Sequence, residues 1–266
     1  MNYIIKIAFS LLCLNSAHCY AKHTLFLGGG GVNYQLIEND LYTNQQLVKE
    51  SGNLISINYG VDYALNQHLI LHAQAQQSYG IIDYDGQTQS GIPHQSETTH
   101  IVNQGSASLG YLLSKQSEIY IGFHGQQDLR DVANHNGVYG ATELYTKIFS
   151  KIGLKQGFQL HKNHHIQLLT EIYQPLFAES FVDSRVNDDV TITLKQGNAY
   201  AWGIQYQYQY ANKQGLFLHY NDTNIRYKKS SLATQSIYGQ ATGNYLYQPP
   251  IRFQQKTLAV GMTWQF

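Results

Sequence analysis

Cysteine is almost missing from this chain. There are two, Cys13 and Cys19, and both fall within the first 21 residues. The rest of the molecule therefore has no disulfide framework to stabilise it. Charge is scarce too: 13% of residues are Asp, Glu, Lys or Arg, and the formal net charge is zero. That is about half the usual share of charged residues. A neutral surface of this kind offers no steering field for nucleic acid or for acidic lipid. Long apolar runs are absent as well. No stretch of 18 consecutive apolar residues occurs, so no membrane-spanning helix is expected.

What is present begins with "MNYIIKIAFSLLCLNSAHCYA". Lys6 supplies a positive start, Ile7 to Leu14 a short apolar core, and Cys19 and Ala21 a small-residue cleavage site. This pattern predicts a secretory signal peptide over 1–21, cleaved after Ala21, and one domain over 22–266. His18 stands where a lipoprotein signal needs a small residue before its cysteine.

Tyrosine is abundant, at 22 residues, and it alternates. In the closing "TLAVGMTWQF", Leu258, Val260, Met262, Trp264 and Phe266 share one face; Ala259, Gly261, Thr263 and Gln265 share the other. The same period of two runs through "ISINYGVDY", "SASLGYLL", "IYIGFHGQ" and "YAWGIQYQYQY". Period two means strands with one apolar face. Short polar turns at 65–68, 114–117, 161–164 and 211–214 alternate with long polar stretches near 37–53, 80–99, 131–143, 177–195 and 229–248. Four short turns and five long loops connect ten strands, with both termini at the short-turn end. The expected fold is all-β: a transmembrane antiparallel up-and-down β-barrel of about ten strands, in the outer membrane of a Gram-negative cell. A soluble β-sandwich also alternates, but its polar face should carry many charges. Here that face is mostly Gln, Ser, Gly, Asn and Thr. "TLFLGGGGVNYQL" is the weakest strand, because four glycines blunt its alternation. Trp264 and Phe266 look like the C-terminal signal that such barrels present to their assembly machinery.

Chemistry is thinly marked. "SYGIIDYDGQ" places Asp83 and Asp85 one residue apart in the second long stretch, so an extended backbone points both the same way. Two close carboxylates can share a proton or orient a water; two solvated loop acids are the plainer reading. "HKNHH" at 161–165 lacks an acid or cysteine to complete a zinc set. "DSRVNDD" lacks the glycine and closing Glu of an EF-hand loop, and "GGGG" lacks the Lys-Ser/Thr of a phosphate loop. On the lumen face, Lys147, Lys151 and Lys155, with Asp62, Asp128, Arg130 and Glu171, are expected to pair and fill a narrow barrel.

Ten strands, long outer loops and D-x-D after a glycine in the second loop resemble the omptin family of outer-membrane proteases. The resemblance implies a catalytic acid pair at Asp83 and Asp85 and a requirement for lipopolysaccharide. It also implies an Asp-x-His in the fourth outer loop, whose His polarises the attacking water. Here that loop reads "AESFVDSRVNDDVTI", with Asp183, Asp188 and Asp189 but no histidine. His94, His100 and His135 are the available substitutes. The expected function is a non-catalytic surface or binding barrel of omptin-like architecture. An omptin-like endopeptidase and a small diffusion channel are the alternatives. No cofactor is expected, apart from lipopolysaccharide if the omptin likeness holds. Expected partners are outer-membrane lipid, lipopolysaccharide and the barrel assembly machinery, with no nucleic acid.

Overall fold

The computed structural model describes residues 23–40, 42–43, 45–87, 91–184 and 187–266. Cys13, Cys19 and the expected cleavage site at Ala21 lie outside them. Thirteen strands occur in the described residues: β1 (Thr24–Asn39), β2 (Gln46–Ala64), β3 (Leu69–Gln87), β4 (Pro93–Leu112), β5 (Ser117–Val132), β6 (Ala141–His161), β7 (His164–Ser184), β8 (Val190–Thr193), β9 (Lys195–Ala211), β10 (Gln214–Lys228), β11 (Ala233–Ile237), β12 (Gln240–Leu246) and β13 (Ile251–Gln265). Neighbours in sequence pair antiparallel from β1 to β7, then β7 with β9, β9 with β10, and β10 with β13. β13 returns to β1 over a register running from Glu38↔Ile251 to Thr24↔Gln265, which closes the sheet. β8 extends β9 beside the loop-end part of β7; between them Leu194 donates its N–H to Ala178 O at 2.9 Å. β11 and β12 form a separate hairpin. The result is the expected ten-stranded antiparallel barrel, and β1 is a full strand despite its glycines.

His23, the first described residue, and Phe266 lie at one end of the barrel, where the Phe266 N–H bonds His23 O at 3.1 Å. This is also the end of the short turns, and it is called the turn end below. The five stretches read as long loops need correcting. In four of them strands run well into the expected loop, and the connections shorten to 40–45, 88–92, 133–140 and 185–189; the fifth, 229–250, keeps its length but carries the β11–β12 hairpin. Above the membrane-facing part, polar residues occupy both faces of a strand, so the alternation fades although backbone pairing continues.

Polarity is inside out. Outward Ile57, Ile121, Ile172 and Val260 are each more than half exposed, whereas inward Arg130 and Lys147 are at most 2% exposed. A soluble protein does the reverse. The apolar belt circles the barrel, and every belt strand is hydrogen-bonded on both sides, as lipid requires. At the closing seam Gly28 sits opposite Gly261 beneath the ring of Phe217. A Cβ on either glycine would lie 2.6 Å from that ring. The ring covers the bare backbone, and Phe26 meets it edge-on at 6.1 Å.

Val260 is 61% exposed in this belt and Gly261 faces the lumen. Val260→Arg is therefore expected to cost about 2–4 kcal/mol near mid-bilayer. Urea titration in lipid vesicles, followed by the heat-induced gel shift of folded barrels, reads that loss. An unchanged midpoint would mean that this face does not meet lipid.

Candidate functional site

Three lysines four residues apart on β6 point into the barrel, and each meets an acid. Lys147 pairs with Asp128, Lys151 with Glu171 at 2.9 Å, and Lys155 with Glu118 at 3.4 Å. Neighbouring polar groups add hydrogen bonds to these pairs. Gln126 donates to Asp128 at 2.7 Å, the Tyr120 hydroxyl to Glu171 at 2.8 Å, and Lys151 to the Ser106 hydroxyl at 3.2 Å. Lys147 also lies 3.3 Å above the Phe253 ring. A buried charge is tolerated when it is paired and hydrogen-bonded, and these are. The expected inward positions of Lys147, Lys151, Lys155, Asp62, Asp128, Arg130 and Glu171 are thus found.

Nearer the loop end, Arg130 reaches across the lumen. Its guanidinium pairs with Glu50, with Glu143 at 2.8 Å and with Glu38 at 3.7 Å. Glu50 also accepts from the Thr98 hydroxyl at 3.2 Å and meets His100 Nε2 at 2.7 Å. The Tyr145 hydroxyl donates to Glu143 at 2.7 Å. Tyr34, Leu36, Leu54, Phe149, Tyr227 and Phe253 pack around this network as one apolar cluster. The loop-end half of the lumen is sealed.

The turn-end half is different, and here the expectation of a largely filled lumen is corrected. A cavity of about 710 Å³ runs from Lys115 and Lys162 near the short turns to a floor at Glu171, His124 and Thr223. The chain puts glutamine, glycine and small residues inward along this stretch, and these do not reach the barrel axis. At its wall His72 stands between Asp62 and Glu118, with a carboxylate oxygen 2.6 Å from each ring nitrogen.

Asp83 and Asp85 do share a face, but it is the outer one. They lie within β3 rather than in a loop, opposite Glu97 and Gln95 of β4, and are exposed. Ile82 and Tyr84, alternating with them, point inward. His94 and His100 belong to the inner face of β4 and are buried, so the wall separates them from the acid pair. His94 Nε2 is 3.1 Å from Ala133 O. His135 bridges to Val138 in the third connection. Among the described residues no histidine is brought to Asp83 and Asp85. Asp183 sits in β7 opposite Thr142, and Asp189 in the fourth connection. His164 contacts the Tyr206 hydroxyl at 2.7 Å. Among the described residues no group of three or more His, Cys, Asp or Glu is arranged to hold a metal.

Asp188 is the fourth-connection acid with a defined partner. It accepts N–H bonds from Tyr238 at 2.9 Å and Gly239 at 2.8 Å, at the tip of the β11–β12 hairpin. The Gly239 N–H, the Ser236 hydroxyl and the Tyr238 N–H hold its carboxyl below the usual carboxylate range. Both tip residues have positive φ, 51° and 74°. That is ordinary for glycine and costly for tyrosine. Tyr238 is 96% exposed there, and Tyr42, Tyr139 and Tyr245 are exposed on the same end of the barrel.

No protein-family model matches the sequence, and no curated protein does. Among solved structures, the outer membrane protease OmpT from Escherichia coli superposes with a TM-score of 0.63 at 10% identity, over 95% of this chain and 99% of that one. The translocator domain of the autotransporter NalP from Neisseria meningitidis reaches 0.45 at 8% identity, over 99% and 94%. The likeness to OmpT shows the fold. The ten-stranded transmembrane barrel expected from the alternation and turn spacing is the one observed, and it is the architecture that the omptin resemblance implied.

Arg130→Ala would leave Glu50 buried without its cation. Removing one partner of a buried pair typically costs about 3–5 kcal/mol. The variant is expected to lower the unfolding midpoint accordingly in urea. Wild-type stability in Arg130→Ala would show that the network does not hold the loop-end half together.

Proposed function

We propose that this chain is an outer-membrane surface barrel that binds rather than cleaves, with its turn end in the periplasm and its loop end outside the cell. The orientation of Asp83 and Asp85 carries this reading. A water activated by a carboxylate must lie within hydrogen-bond reach of a base. The wall of β3 and β4 stands between this acid pair and His94 and His100. The inner face at that height is already committed to Glu50, Arg130 and Glu143. Exposed tyrosines set among Ser, Gly, Asn and Gln on the loop-end connections suit recognition of another surface, because they offer rigid amphipathic area at low entropic cost. The sealed half-lumen supports a barrel without porin-sized conductance.

Lipopolysaccharide is the proposed lipid partner. Arg226 of β10 and Arg252 of β13 are direct cross-strand neighbours on the outer wall, with Lys228 and Lys256 nearby. Neither guanidinium has a carboxylate within ion-pair distance among the described residues; Arg226 donates to Asn224 and Arg252 to Gln254, both at 3.2 Å. Like charges directly opposite are destabilising in a sheet, and a phosphate would relieve them. Trp264 and Phe266, at the end of β13, are the proposed contact for the assembly machinery.

Protein refolded with lipopolysaccharide is expected to leave dibasic peptides uncut, with wild type, Asp83→Ala and Asp85→Ala alike. Turnover at ordinary enzyme rates that either substitution abolishes would overturn the non-catalytic reading and restore the endopeptidase.

In planar bilayers the purified protein is expected to show no stable conductance steps. Reproducible porin-sized steps would establish the channel instead.

A further inference from the structure

The cavity at the turn end has a composition of its own. Gln167 of β7, Gln205 of β9 and His219 of β10 sit side by side across three strands, and Gln207 lies beside Phe217. Gln74 and Gln76 face them from β3, and Gln104 from β4. Among the described residues the side chains of Gln74, Gln167, Gln205 and Gln207 make no hydrogen bond to protein. At the floor, His124 Nε2, His219 Nδ1 and Asn221 Oδ1 are withdrawn from solvent and unpartnered. Those three atoms are closed off from water, so the free amides of the wall glutamines are what a ligand in the cavity would meet, and matching donors and acceptors would satisfy them. The volume of about 710 Å³ lies within the range of small-molecule sites.

The chemistry of that ligand can be narrowed. Past the mouth, which Lys115 and Lys162 line, the charges of the wall are mutually neutralised: Asp62 and Glu118 by His72 and Lys155, and Glu171 by Lys151. An ionic ligand seated there would find its counter-ions already engaged. Each glutamine offers two donors and an acceptor, which suits a ligand rich in hydroxyl and amide groups. Phe26 and Phe217 add an aromatic pair for the C–H face of a ring. A peptide could bind as an added strand only at a free sheet edge, and the unpaired sides of β8 and of the β11–β12 hairpin lie at the loop end, away from this cavity. We propose that the turn-end cavity binds a neutral saccharide carrying hydroxyl and acetamido groups, one or two rings long, which enters from the turn end.

The probe is N,N′-diacetylchitobiose, titrated calorimetrically into the refolded mature barrel, with trialanine as the comparison. Saturable binding of the sugar is expected at millimolar concentration or below. Gln167→Leu with Gln205→Leu should weaken it by about tenfold, the order expected for two lost ligand hydrogen bonds. Phe217→Leu should weaken it too, through the ring contact. The heat-induced gel shift selects folded variants; if the double substitution does not fold, Gln205→Leu alone is read the same way. Three results would overturn the proposal: no saturable sugar signal at tens of millimolar, equal affinity in all folded variants, or trialanine binding as tightly as the sugar.

Discussion

The lysine ladder of β6 is the interaction on which the lumen depends. Lys147, Lys151 and Lys155 can stay inside only because Asp128, Glu171 and Glu118 stand opposite them. These acids come from β5 and β7, the two neighbours of β6. The ladder therefore does more than neutralise charge. A slip of β6 by one residue would turn all three lysines into lipid and expose Ile148, Ile152 and Leu154 to the lumen. Each lysine at mid-bilayer would cost about 2–4 kcal/mol. The ion pairs thus act mainly on register, and hydrogen bonding around the closed sheet follows from that register. A buried pair adds little net stability over an apolar substitute, so specificity is the role that the ladder fits best.

The same parity explains what could be read in advance. Alternation in "ISINYGVDY" and "YAWGIQYQYQY" marked both faces, because each strand crosses a belt where one face is apolar and the other is not. Inward lysines on β6 followed directly. Above the belt both faces are polar, so the end of a strand and the beginning of a loop look alike, and five long loops were expected where, in four of them, the strands run on. The orientation of Asp83 and Asp85 was legible in principle. Tyr79 and Ile81 face out, and counting on by twos puts 83 and 85 on the outside as well. Treating the stretch as a loop broke that count. Glu50 was hidden by the same step: Leu54 points in, so residue 50 does too, yet it fell within the first supposed loop.

Other features leave no local trace. Arg130 and Glu50 are 80 residues apart in sequence and meet only because the sheet closes. The clamp between Asp188 and the β11–β12 tip joins two connections separated by β9 and β10. A tyrosine with positive φ at the tip gives up local stability for a ring held clear of the barrel, and Asp188 offsets part of that cost by occupying both tip N–H groups. This is the pattern of a displayed side chain rather than of a chain end that happens to be exposed.

Why one half of the lumen is sealed and the other hollow follows from which side chains face inward at each height. Toward the loop end the inward positions hold Tyr34, Tyr145, Phe149, Phe253 and Arg130, long enough to meet across ten strands. Toward the turn end they hold Gln74, Gln205, Gln207 and Thr263, with Gly261 at the seam, and these stop short of the axis. Lys151 and Glu171 form the layer between the halves, tied to Tyr120 and Tyr173. A barrel that needed only to be closed could have been filled along its whole length with the same residue types. Leaving partly unpartnered amides around a cavity forgoes the packing and hydrogen bonds that filling would provide. In the proposed non-conducting barrel the seal keeps the two sides of the membrane apart, and the hollow half serves its own side.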